Sequence, residues 1–235
     1  MDTKSRILTY HRIGSPSKGK KYEALTVLPE QFRKQLRLMR LLNFNFSNLD
    51  TIADCLENKK NFPRRQAVLS FDDGFDDLYE HAFPLLTQNH IPAIIYLVTD
   101  RTENNWESRK ALRPLKLLSP QRICEMSRHG IMFGSHTRTH ENLTRCTDDQ
   151  LLNEVVNSKK IIEDMLGLEV KHFCYPYGAV NQRVADTVKL AGYKTACTTK
   201  KGSVYLNSNP FLLPRLTIGK RMNILKFLLR ITIRA

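Results

Sequence analysis

The sequence predicts an α/β fold in which parallel strands alternate with helices to form a sheet or a barrel. Short apolar runs of strand length alternate with longer segments whose apolar residues recur at helical spacing. Several of these runs end at a polar residue, as strands do when their carboxyl ends carry a site. The chain has 235 residues, of which 41% are hydrophobic, enough for one packed core. We therefore expect a single domain over residues 1–235.

The first half of the chain contains three predicted strands and two predicted helices. Pro29 suits the first turn of the first helix, and Pro84 is expected to kink or divide the second, which follows Gly74. A long polar loop over 100–118 holds the only tryptophan, Trp106, and is either a binding loop or a surface insertion. The predicted strands are 7–10, 67–71 and 94–98, and the apolar helix faces are Phe32, Leu36, Met39, Leu42 and then Leu78, Ala82, Leu85, Leu86.

The second half continues the alternation. Ser119 and Pro120 are typical of a helix start, and Gly167 is a natural stop for a helix that begins near Thr147. A helix from Val184 ends at Gly192. Strands are predicted at 131–134, 171–175 and 195–198, helices at 120–128, 147–166 and 184–191, and a core-facing stripe at Leu152, Val155, Val156, Ile162 and Leu166.

Two motifs carry the residues best suited to chemistry. Asp72 and Asp73 follow the apolar run 67–71, and His136 and His140 lie four residues apart. One carboxylate and two imidazoles bind a metal from one side and leave positions open for water or substrate. The other carboxylate is then available as a base. Taken alone, Asp-Asp-Gly is more often a turn or a helix start.

Six polar residues fall at the ends of predicted strands. Because the carboxyl ends of parallel strands meet at one edge, we expect residues far apart in sequence to come together there. For His11, a structural role is the alternative, since a single histidine has many uses. The six are His11, Asp72, Asp73, His136, His140 and Tyr177.

These motifs, in this order, resemble those of a known family. Ser70–Gly74, His136–His140 and Tyr175–Gly178 look like the first three motifs of the polysaccharide deacetylase (NodB-homology) family, carbohydrate esterase family 4. Tyr10–Ile13 and Leu213–Leu216 resemble the subgroup in which the acid histidine lies near the amino terminus. The resemblance implies a distorted (β/α) barrel that hydrolyses an N-acyl group, usually N-acetyl, on an amino sugar with the help of a metal.

The resemblance also implies roles for individual residues. Asp73, His136 and His140 would bind the metal, with zinc as the default, and Asp72 would be the general base. This agrees with the chemistry, because a metal activates water at neutral pH and a nearby carboxylate accepts the proton. His11 would protonate the departing amine.

The remaining implied roles concern the oxyanion and the base. Tyr177 matches the position whose backbone N–H helps to stabilise the oxyanion. The chain departs from the family pattern at 172–175, where an arginine that orients the base is usual and His-Phe-Cys-Tyr stands instead. We expect Arg215 to replace it. A late Leu-x-His motif is also missing from the sequence, which places the acid role on His11.

Net charge limits the class of partner, and the cysteine pattern indicates the redox state of the thiols. The 37 Lys and Arg against 23 Asp and Glu give a net charge of +14, which favours anionic partners. The sequence has no helix-turn-helix, zinc-finger or RNP pattern, which argues against nucleic acid. Five scattered cysteines without a C-x-x-C pair indicate reduced thiols. Without a signal-peptide-like segment or an 18-residue apolar span, we expect a cytoplasmic location.

The segment 221–235 has two interpretations. Lys226, Arg230 and Arg234 recur every fourth residue beside leucine and isoleucine, which is typical of a basic amphipathic helix on a bilayer. The alternative is a last helix packed on the barrel with a solvated basic edge. Contact with the inner membrane face would favour a lipid-linked or phosphate-bearing sugar precursor over a finished polymer.

Two other functions remain open at the level of sequence. An inactive relative could bind carbohydrate through Trp106 and the tyrosines, although both imidazoles and both carboxylates are retained. A hydrolase of a different acyl or formyl amide would share every catalytic residue and differ only in its pocket.

Overall fold

A closed barrel of seven parallel strands is the centre of the computed structural model, which describes residues 2–15, 20–106 and 114–232. The barrel order is β1, β11, β9, β8, β7, β6 and β5, which pairs back with β1. This confirms the distorted (β/α) barrel. The strands of the described residues are β1 (Lys4–Tyr10), β2 (Arg12–Ile13), β3 (Thr26–Val27), β4 (Asn45–Ser47), β5 (Gln66–Phe71), β6 (Ala93–Leu97), β7 (Met132–Ser135), β8 (His172–Cys174), β9 (Thr195–Lys201), β10 (Val204–Tyr205) and β11 (Leu213–Thr217).

Helices connect the strands. The main core cluster joins their apolar faces to outward-facing strand residues such as Leu8 and Leu69. A second cluster fills the barrel interior. It includes Leu49 together with Ile7 and Val68, which lie on the opposite face of their strands from Leu8 and Leu69. The helices of the described residues are α1 (Lys20–Leu25), α2 (Pro29–Leu41), α3 (Leu49–Glu57), α4 (Asp77–His81), α5 (Phe83–Gln88), α6 (Pro120–Arg128), α7 (Asp148–Leu166), α8 (Gln182–Leu190) and α9 (Ile224–Thr232).

The local signals act as expected at several helix ends. Thr147 caps α7 in a reciprocal capping box with Gln150, and Gly167 ends the helix with φ 65°. The Ser119 hydroxyl accepts the Arg122 N–H at the start of α6. Pro84 lies in the first turn of α5, so the predicted single helix is divided in two.

The predicted core stripe of α7 is wrong at two positions. Leu152 and Val156 are exposed, whereas Glu154 and Ser158 are buried. The helix is rotated because the buried Glu154 carboxylate and Ser158 hydroxyl find hydrogen-bond partners at and after the end of β7. The sequence also did not predict β4 and α3, because a three-residue strand with polar ends leaves little periodicity to detect.

The last helix, α9, packs on the rest of the protein through Phe227 and Ile231. Among the residues described, no helix has both the length and the hydrophobicity needed to span a bilayer. Arg234 and residues 107–113 of the predicted loop lie outside the described residues.

Candidate active site

The carboxyl ends of the barrel strands form one rim, and the predicted site residues lie on it. His11 follows β1, Asp72 follows β5, His136 follows β7, and Tyr177 comes three residues after β8. Arg215 projects from β11 into the same region. Parallel pairing of these strands brings Asp72 into contact with Arg215, which is 143 positions away in sequence.

Asp73, His136 and His140 form a compact group of metal-ligand type. The Oδ1 atom of Asp73 lies 3.4 Å from Nε2 of His136 and 3.3 Å from Nε2 of His140. All three side chains are buried, and their donor atoms lie within 4.8 Å of one another. Nδ1–H of His136 donates to the Cys174 carbonyl at 2.7 Å, so Nε2 is the ring nitrogen that faces the group and would bind a metal after losing its proton. A divalent cation such as Zn²⁺ fits this donor set.

The backbone around this group is held in conformations that non-glycine residues rarely adopt. Asp73, Thr137 and His140 have φ values of 72°, 71° and 65°. The backbone N–H of His140 donates to Thr137 Oγ1 at 2.9 Å, which closes the loop on itself. Strain of this kind persists only where surrounding contacts maintain it.

Glu154 of α7 supplies those contacts, and sequence reasoning missed it. Its Oε2 accepts the backbone N–H groups of Arg138 and Thr139, both at 2.9 Å, and its Oε1 accepts the Thr139 hydroxyl at 2.6 Å. A buried carboxylate thus organises the loop between the two histidines. Glu154 lies between Leu151 and Val155, which face the core. An acidic residue in such a position could have indicated a buried carboxylate that needs a hydrogen-bond partner.

We expect Glu154→Ala to lower zinc affinity by about 10–100-fold, because the loop that carries His140 loses three hydrogen bonds. Glu154→Gln keeps one oxygen acceptor and should have a smaller effect. Isothermal titration of both proteins with Zn²⁺ measures the difference. Equal affinities for wild type and Glu154→Ala would contradict this role.

Asp72 and Arg215 form a buried two-point ion pair. Oδ1 and Oδ2 of Asp72 accept from Nη1 and Nη2 of Arg215, each at 2.7 Å. The guanidinium is 2% exposed and also donates from Nε to the Thr198 carbonyl at 3.0 Å. The Cys174 sulfur lies 3.2 Å from Nη2, at the strand end where the sequence lacks an arginine. The structure therefore places Arg215 where its planar fork holds the Asp72 carboxylate in one orientation.

The site favours ionised carboxylates. Burial by itself raises the pKa of Asp72, but the Arg215 guanidinium outweighs it and holds that pKa below 3.8. For Asp73, burial has the same tendency, and the contacts with His136 and His140 hold its pKa well below 3.8. Both acids are therefore available as a base or a ligand at neutral pH.

His11 and two aromatic residues complete the surroundings. Nε2 of His11 lies 4.0 Å from Oδ2 of Asp72. The Tyr177 ring, which is half-exposed, meets the His140 ring edge to face at 4.7 Å. Trp106 stacks on the His140 ring at 4.5 Å, so the 100–118 loop does reach the site. Trp106 and Tyr177 also line a cleft of about 770 Å³ beside the ligand group.

The histidine of β8 makes structural contacts. His172 Nδ1 lies 2.9 Å from Thr195 Oγ1, and its Nε2 lies 3.3 Å from Asp50. Burial lowers its pKa below 6.5. These contacts tie β8 to β9 and α3, away from the Asp73 group.

Comparison with known proteins points in the same direction as the geometry. The family model described as "Polysaccharide deacetylase" matches residues 59–196. A Staphylococcus aureus protein named poly-beta-1,6-N-acetyl-D-glucosamine N-deacetylase is 26% identical over 232 residues, covering 90% of this chain and 78% of that protein.

Two solved structures share the fold over almost the whole chain. Streptococcus pyogenes deacetylase PplD, in complex with acetate, superposes with a TM-score of 0.86 at 26% identity, covering 98% of this chain and 99% of the other. IcaB from Ammonifex degensii superposes with a TM-score of 0.79 at 20% identity, covering 94% of each chain.

Proposed function

Because this chain belongs to the polysaccharide deacetylase family, we propose that it removes N-acetyl groups from an amino-sugar polymer by metal-dependent hydrolysis. Enzymes of this kind hydrolyse carbon–nitrogen bonds other than peptide bonds, and the S. aureus relative is named as an N-deacetylase of a polysaccharide. The metal, the catalytic roles and the exact substrate are the proposed parts.

One observation carries the proposal more than any other. A carboxylate and two imidazole nitrogens converge on one point, while a second carboxylate beside them is oriented by a buried arginine. Asp72 also lies within 4.8 Å of the His136 ring nitrogen, so base and ligands face the same small volume. Hydrolysis of an amide needs these two features together.

The geometry supports the following proposed roles. Asp73, His136 and His140 would hold a divalent cation such as Zn²⁺, which would supply activation of water and polarisation of the acyl oxygen. Asp72 accepts the proton of the attacking water, and Arg215 keeps its carboxylate ionised and correctly turned. His11, whose Nε2 lies 4.0 Å from Oδ2 of Asp72, donates a proton to the departing amine. The backbone N–H of Tyr177 is the proposed oxyanion donor.

A β-1,6-linked polymer of N-acetylglucosamine is the substrate that we propose first, because the S. aureus relative named for that polymer aligns with 90% of this chain. The cleft lined by Trp106 and Tyr177 offers aromatic surface for a sugar ring. A lipid-linked N-acetylhexosamine remains the alternative substrate form, and the cytoplasmic location remains a prediction.

The direct test is release of primary amine from a substrate panel by the zinc-loaded protein. The panel contains β-1,6- and β-1,4-linked N-acetylglucosamine oligomers, a lipid-linked N-acetylhexosamine and a formylated amine. We expect release from the β-1,6 oligomers, lost in Asp72→Asn. Release from the formylated amine alone would replace the proposal with a deformylase. If no amine is released although the protein binds one equivalent of zinc, the substrate is an amide outside the panel. If no amine is released and no zinc is bound, the protein is an inactive relative.

Metal binding has its own test. His140→Ala should lower Zn²⁺ affinity by more than the about 10–100-fold expected for Glu154→Ala, because it removes a ligand rather than a support. His129→Ala removes an exposed histidine elsewhere and serves as the matched control. Isothermal titration calorimetry with Zn²⁺ measures metal affinity independently of catalytic activity. Equal affinities for His140→Ala and His129→Ala would exclude the Asp73 group as the metal site.

A further inference from the structure

Helix α9 has an apolar outer face as well as an apolar inner face. Phe227 and Ile231 are buried, but Leu225 is 62% exposed and Leu229 is 42% exposed on the opposite side. Most surface helices turn polar residues outward, so exposed leucines one turn apart suggest an interaction surface.

Cations surround this face. A cleft of about 900 Å³ lies between α9 and the turn after β11, and it is lined by Ala24, Gly219, Arg221, Met222, Lys226, Leu229 and Arg230. No acidic residue is among these lining residues. In the described part of the chain, neither Arg221 nor Lys226 has a carboxylate within ion-pair distance. We call Arg221, Leu225, Lys226, Leu229 and Arg230 the α9 surface.

The α9 surface is on the same side of the barrel as the active site. Gly219 lies two residues beyond the carboxyl end of β11, the strand that carries Arg215. The backbone N–H of Lys220 donates to the carbonyl of Ala24 at 3.0 Å, and Ala24 lies in the segment that follows β1 and His11. The turn that leads into α9 therefore starts at the same end of the barrel as the catalytic rim, and the α9 surface shares no residue with the site.

We propose that the α9 surface docks the protein on an anionic phospholipid bilayer. Leu225 and Leu229 would enter the boundary between headgroups and acyl chains, and Arg221 and Lys226 would face the lipid phosphates. The net charge of +14 adds long-range attraction to the same partner. An acidic polymer would use the cations but would leave the leucines in water, so the combination favours a lipid surface.

Docking in this way would bring the catalytic rim close to the bilayer. Amino sugars attached to lipid, or polymer emerging from a membrane, would then be presented near the Asp73 group. This consequence rests on the proposed function, but the docking itself does not. Vesicle binding needs no substrate, so its failure and the failure of the deacetylase proposal can be told apart.

The test is flotation of the full chain with vesicles of phosphatidylcholine alone and of phosphatidylcholine mixed equally with phosphatidylglycerol. We expect binding to the mixed vesicles only, weakened by salt. The double variant Leu225→Glu/Leu229→Glu should lower the bound fraction by about tenfold or more. Leu190→Glu, at a leucine that is 87% exposed on α8, is the matched control and should bind like wild type.

The outcomes are decisive in either direction. Loss of binding in the double variant with a normal Leu190→Glu protein supports docking through α9. Binding that responds to Lys226→Glu but not to the leucine changes would mean nonspecific attraction of a basic protein, and the proposal would fail. Equal binding of the wild-type protein to vesicles with and without phosphatidylglycerol would also contradict the proposal. Unchanged thermal unfolding of the variants shows that loss of binding is not loss of fold.

Discussion

Replacing Asp72 with asparagine should lower kcat by about 10²–10⁴, the usual contribution of a positioned general base. An asparagine amide is nearly the same shape and can still accept a hydrogen bond from Arg215, but it cannot take a proton from water. The Asp73 group keeps its donor atoms, so zinc affinity should change little. Steady-state amine release and zinc titration on the same preparation measure both quantities.

This substitution also leaves the Arg215 cation buried without its counter-charge, so some loss of stability is expected. Asp50→Asn controls for that effect, because it weakens another carboxylate contact, with His172, away from the site. We expect the control to keep its turnover. A folded, zinc-loaded Asp72→Asn protein with wild-type turnover would show that Asp72 is not the base.

Arg215→Ala should be the most damaging single change to both stability and turnover. It leaves the Asp72 carboxylate buried without either of its two 2.7 Å hydrogen bonds, and breaking a buried ion pair from one side typically costs about 3–5 kcal/mol of unfolding free energy. Turnover should fall with it, because the carboxylate loses both its orientation and the cation that keeps it ionised. Denaturant unfolding and kcat/KM measure the two effects.

Two further variants separate positioning from folding. Arg215→Lys keeps the charge but cannot form the two-point contact, so it should recover more stability than turnover. The double variant Arg215→Met/Asp72→Asn removes both partners and should regain much of the lost stability without regaining activity. Full turnover in Arg215→Ala would remove the positioning role. Recovery of activity in the double variant would exclude both assignments.

Local patterns were sufficient for much of the fold. The strand ends at Tyr10 and Phe71, the helix start at Thr147 and the stop at Gly167 are set by short-range chemistry that the sequence displays directly. The same is true of the division at Pro84. Failures came where the signal was weak or overridden, as in β4, and in the face of α7 that buries Glu154 instead of Leu152.

The sequence by itself determined the parts of the candidate site that lie within motifs: Asp72 with Asp73, His136 with His140, and the alternation that brings strand ends to one rim. The tertiary structure decided what joins the motifs. It placed Glu154 beneath the histidine loop and Trp106 against His140. It also left the leucines of α9 uncovered. The physical reason is that strand pairing and helix rotation decide which distant side chains meet, because a buried polar group must find a partner wherever the fold supplies one.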